Sequence, residues 1–162
     1  MECYLASLCV FVAAALGLGL VAVAASFRPP RPRRSRRVNA LGAGCAALGC
    51  AVGFAGVIEA LLKGGATVEL LWGLPVGHLV LRLDALSAFF LLPVFGLGFV
   101  CALSGGIALR SARPGEHNLA AHWFFFLLLL MGMACVMCAA DAIFLLLACE
   151  IISLEPFFLI DF

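Results

Sequence analysis

The residues able to carry chemistry are few, and the most informative lie near the C-terminal end. Glu150 stands nine residues after Asp141 in a run that is otherwise apolar. On a helix that separation is about 13 Å along the axis, near the middle of a hydrocarbon layer about 30 Å thick. A carboxylate at such depth is expensive, so Glu150 is expected to be protonated, paired with a base, or turned toward hydrated protein. An intramembrane acid whose proton affinity depends on a partner is what a proton relay needs. The plainer alternative is an acid kept neutral by burial, hydrogen bonded to a neighbouring helix and without a role in transport. Glu155 follows five residues later, about 140° around a helix, so the two carboxylates do not share a face. Pro156 beside it removes a helical hydrogen bond and bends the backbone. Glu155 is read as an interfacial residue, with a secondary proton-relay site as the alternative. The single lysine, Lys63, falls at a helix end, so the sequence shows no lysine at the depth of Glu150.

Other chemically capable side chains carry weaker signals. Of the eight cysteines, Cys9, Cys45, Cys50, Cys101, Cys135, Cys138 and Cys149 fall within apolar stretches, where Cys behaves as a small hydrophobe. Cys135 and Cys138 have CxxC spacing but lack the second Cys or His pair of a zinc site, and no metal is expected. Glu59 and Lys63, spaced i, i+4, read as an interfacial pair. His78 reads as a solvated strand residue, and His117 and His122 as interfacial residues near an anchoring Trp123. No glycine-rich phosphate loop, no nucleophile and base set and no cofactor motif appears. The chain is therefore not expected to be catalytic alone.

These residues are positioned by elements that belong in a bilayer. Hydrophobic residues make up 65% of the 162, charged residues 12%, and the mean hydropathy is +1.20, far from the balance of a soluble domain. The expected fold is an all-α membrane protein, a single transmembrane domain of about five helices, over about 5–27, 38–62, 84–109, 119–140 and 141–160. The first segment has Glu2 ahead of a long apolar run, unlike a cleaved signal, and reads as a retained span. It stops at Arg28-Pro29-Pro30-Arg31-Pro32, where prolines oppose helix continuation and arginines resist the bilayer. The second is rich in Gly, Ala and Cys, which allows close approach of a neighbouring helix.

Between the second and third helices the pattern changes. Gly64-Gly65 breaks the helix, and Gly73-Leu74-Pro75 suits a turn inside a short extracytoplasmic β-hairpin over 67–83. A period of two then puts His78 and Arg82 on one face and Leu79, Leu81 and Leu83 on the other. Asp84 is placed to cap the third helix with its carboxylate, and Pro93 to kink it. Nine of the ten basic residues are arginines, and six of those lie between Arg28 and Arg37. This run could be a nucleic-acid or anionic-lipid patch, but a short basic loop between spans fits the positive-inside bias. Arg110 and Arg113 mark the second basic loop. Both loops, 28–37 and 110–117, are expected in the cytoplasm, the N-terminus outside, and the chain in the cell (inner) membrane. No nucleic-acid partner is expected.

Two stretches carry a family resemblance. One is Asp84-Ala85-Leu86-Ser87-Ala88-Phe89-Phe90, preceded by Leu74-Pro75. The other runs from Asp141-Ala142-Ile143-Phe144-Leu145 through Glu150-Ile151-Ile152-Ser153-Leu154 to Phe157-Phe158-Leu159. They resemble the antiporter-like, proton-translocating subunits shared by complex I, Mrp antiporters and membrane-bound hydrogenases, most closely the large membrane subunit of hydrogenase-4 and formate hydrogenlyase. The sharpest element resembles the fifth-helix Trp-Glu-x-Met-Ser-Leu type motif, here Cys149-Glu150-Ile151-Ile152-Ser153-Leu154. The resemblance implies that Glu150 is the fifth-helix glutamate that pairs with a lysine on a later helix and gates proton movement. Cys149 departs from the family's Trp, and Glu155-Pro156 from its small residues. It also implies that the chain is the N-terminal part of a larger subunit. The implied partners are other membrane subunits of a redox-driven proton-pumping complex, its peripheral redox module, and the lipid bilayer. The chain itself would need no cofactor. A truncated or structural membrane piece without transport of its own, and a cation/proton antiporter subunit of the Mrp type, stand as rival readings.

Overall fold

Helices dominate the described residues, as apolar runs long enough to cross a bilayer require. The computed structural model describes residues 32–63, 66–70, 79–109 and 119–160. In chain order these form α1 (Pro32–Lys63), β1 (Ala66–Leu70), β2 (Leu79–Leu83), α2 (Ala85–Ala108), α3 (Leu119–Cys138) and α4 (Ala142–Ile160). The segment 5–27, the turn at Gly73-Leu74-Pro75, His78 and His117 lie outside the described residues, as does the side chain of Lys63. Among the described residues three stretches, Arg36–Leu62, Ala85–Ala108 and Leu119–Cys138, are long and apolar enough to cross a membrane. The protein is a helical membrane protein.

α1 packs along α2 and also meets α3, and α4 packs on α3. On α1 the inward positions are Asn39, Gly42, Ala46, Gly49, Cys50, Gly53, Gly56, Val57 and Ala60, which recur every three or four residues as one helical face must. They are nearly all small. Because lipid tails are as apolar as leucine, helices in a bilayer associate through close packing, and small side chains permit it. α2 answers with Ala88, Leu91, Phe95, Gly98, Ala102 and Gly106. A Cβ added at Gly98 would lie 2.7 Å from Leu130 Cδ2, and one at Gly106 would lie 2.7 Å from Ala43 Cβ. Large side chains such as Leu86, Phe89, Leu97, Leu146 and Phe157 point outward. A patch that extensive belongs against lipid or further helices, not water.

α1 begins six residues earlier than the 38 expected from sequence. Proline opposes a helix only after its first turn, where it would remove a hydrogen bond, and Pro32 occupies the first position, where its missing N–H is not needed. The arginines that follow are good helix formers. The other described boundaries fall within two residues of expectation.

β1 and β2 pair antiparallel, from Ala66 opposite Leu83 to Leu70 opposite Leu79. Leu81 and Leu83 are buried while Arg82 between them is exposed, the alternation of a half-covered strand. Leu81 also bridges Ala139 at the end of α3, which fixes the strand pair to the corner between α3 and α4. Asp84 occupies the N-cap position of α2 with extended backbone, yet its side chain makes no cap hydrogen bond. The expected role of that carboxylate is corrected here. It accepts from Ser87 Oγ at 3.3 Å and sits 3.6 Å from Arg82 Nε, because these nearby donors compete for the same oxygens.

Candidate functional site

The site is set by the pitch of α4. Ala148 and Glu155, seven residues apart, are its buried side chains among the described residues. Seven residues make nearly two turns, so both lie on the face against α3. Glu150 lies about 200° around from Ala148 and is exposed on the opposite face. The two carboxylates thus occupy different surroundings, as their spacing requires.

Glu155 lies in the seam between α3 and α4 and is only 2% exposed. Neither carboxylate oxygen has a hydrogen-bond partner among the described residues. The reading of Glu155 as interfacial is therefore corrected: the periodicity that places Ala148 inward carries Glu155 inward as well. Opposite it stands Gly132 of α3. A Cβ there would lie 2.8 Å from Ile152 Cγ1 and 3.8 Å from Glu155 Oε1, so the absence of a side chain lets α4 settle onto α3 at this level. The neighbourhood of Glu150 is simpler. Ser153 Oγ donates to its backbone carbonyl at 2.8 Å, a bond internal to the helix, and Cys149 beside it is also exposed.

A second polar group, not foreseen from the sequence, joins three helices. Trp123 Nε1 of α3 donates to Asn39 Oδ1 of α1 at 2.9 Å, and Asn39 Nδ2 donates to the Gly106 carbonyl of α2 at 2.8 Å. That carbonyl lies in the last turn of α2, where helical donors run out. Trp123 is 1% exposed and lies against Gly42, where no side chain could be added without striking the indole. Its expected role as an interfacial anchor is corrected: the small residues of α1 open a slot deep enough to enclose the ring, and Asn39 satisfies its N–H. A single amide in a glycine-rich apolar span is the signal that could have located this group.

His122 is half-buried and stacks edge-to-face on Trp123, with ring centroids 5.6 Å apart. Cys135 is half-buried and Cys138 buried, both as free thiols on α3. Among the described residues no group of three or more His, Cys, Asp or Glu is arranged to hold a metal ion. Comparison with family models and with curated proteins finds no match to the chain. The arrangement comprises one carboxyl sealed between two helices, another on an open apolar face, and a polar knot that holds three helices together.

Proposed function

We propose that this protein belongs to a proton-translocating membrane subunit of a respiratory hydrogenase or NADH:quinone oxidoreductase-like complex, with Glu150 as an intramembrane proton-relay carboxylate. In this reading the chain forms five spans, with 5–27 and α4 joining the three stretches described above, and the strand pair lies on the extracytoplasmic side. The observation that carries it is the place of Glu150, halfway along apolar α4 and exposed on the face turned away from α3. A carboxylate at that depth does not face hydrocarbon, since the insertion cost is several kcal/mol. It faces polar groups from further helices or a hydrated path, which is where a relay acid works. The motif resemblance around Glu150 supports the same assignment and supplies the redox partners by analogy.

The test is proton flux in proteoliposomes containing the parent complex, comparing wild type with Glu150→Gln. The substitution keeps the shape and removes the ionisable group. Flux falls about tenfold or more if Glu150 relays protons, with assembly intact. Unchanged flux makes Glu150 a structural acid and favours the reading of a membrane or assembly element without transport of its own.

A further inference from the structure

We infer that Glu155 and Gly132 form a proton-binding site closed into the seam between α3 and α4, in which the carboxyl keeps its proton while the seam is shut and releases it when α4 moves off α3. The Glu155 side chain is 2% exposed, and both oxygens lack hydrogen-bond partners among the described residues. Gly132 and Ile152 close the gap between the helices around it.

Neither of the two helices forming the seam offers a cation. α3 contains no Lys, Arg, Asp or Glu. Its His122 lies ten residues before Gly132, about 15 Å along the axis, and its Cys135 and Cys138 are thiols that bring no positive charge. α4 carries Glu150 as its other charged side chain, and Asp141 precedes it. An ionised carboxylate in a closed apolar seam is costly when neither a countercharge nor donors answer it. A neutral carboxyl needs only an acceptor for its O–H. Pro156 has no N–H to give the Ile152 carbonyl one turn back, and a turn of the carboxyl toward that carbonyl would supply the acceptor that neither oxygen has in the closed seam. A lone carboxyl enclosed by apolar side chains suits a proton, which neutralises it without further ligands. On release the carboxyl O–H bond breaks, the proton passes to water entering the opened seam, and the electron pair stays on the carboxylate. This inference does not depend on the transport reading, since the seam is present whatever Glu150 does.

Infrared difference spectra of the lipid-reconstituted full chain at neutral pH test it. Wild type is expected to show the carbonyl stretch of an un-ionised carboxyl that is lost in Glu155→Gln and kept in Glu150→Gln. If the band lost in Glu155→Gln is that of a carboxylate, the inference is overturned. A second variant, Gly132→Ala, leaves the carboxyl in place while crowding Ile152. In heavy water its acid band is expected to exchange faster than that of wild type. Equal rates would show that the seam does not guard the proton, and this variant still decides if Glu155→Gln fails to accumulate. The flux of Glu150→Gln is a separate readout, so either idea can fail alone.

Discussion

Asn39 shows how much one polar side chain can organise in an apolar bundle. Its amide accepts from Trp123 and donates to Gly106, so all three partners are satisfied in one place. Asn39→Ala leaves a buried indole N–H without its acceptor. A double-mutant cycle of Asn39→Ala with Trp123→Phe, read by unfolding in mild detergent, is expected to give a coupling of about 0.6–2 kcal/mol, the range for polar contacts between membrane helices. A coupling near zero would mean that packing of the ring, and not its hydrogen bond, holds the helices. The spacing of Glu150 and Glu155 fixes that they face different ways, but not which one is enclosed. α4 is apolar all round, so no polar stripe distinguishes its packed face from its open one. The inward face was marked instead by small residues on the partner helix, above all Gly132, and that pairing is visible only once the helices are docked.

The glycines of α1 give a comparison within one element. Gly42 faces the Trp123 ring, whereas nothing lies within 4 Å of a Cβ built at Gly44. Gly42→Ala is expected to lower the melting temperature of the purified protein, since either the indole or the helix must shift; overpacking of this kind costs about 1–3 kcal/mol. Gly44→Ala is expected to be neutral or to stabilise by up to about 1 kcal/mol through helix propensity. Equal effects at the two positions would contradict the slot around the indole. Helix existence and most described boundaries were legible because long apolar runs punctuated by Gly, Pro and charge leave little choice. The start of α1 was not, because Pro32 can begin a helix as readily as end one. Nor was the cap of α2, where Arg82 and Ser87 draw the Asp84 carboxylate away from the helix amides.

For the whole molecule, the outward-facing leucines and phenylalanines of α2 and α4 require cover by lipid or by other chains. In the proposed reading, orientation across the bilayer is set by the arginines at the start of α1 and in 110–117. In the proposed topology, Ser35→Cys in a Cys3→Ser background is shielded in intact cells from a membrane-impermeant maleimide and reacts once the cytoplasmic side is opened. Labelling in intact cells would invert the topology.

The bridge from Leu81 to Ala139 has a mechanical consequence. It braces the corner from which α4 departs, so any tilt of α4 would have its pivot near Asp141. Glu155 rides about 21 Å along the helix from that point, fourteen residues on at the helical rise. A tilt of about 5° at the pivot displaces it by about 2 Å, enough to lose van der Waals contact with α3. A small rotation at the braced corner is thereby magnified at the level of Glu155 and Gly132.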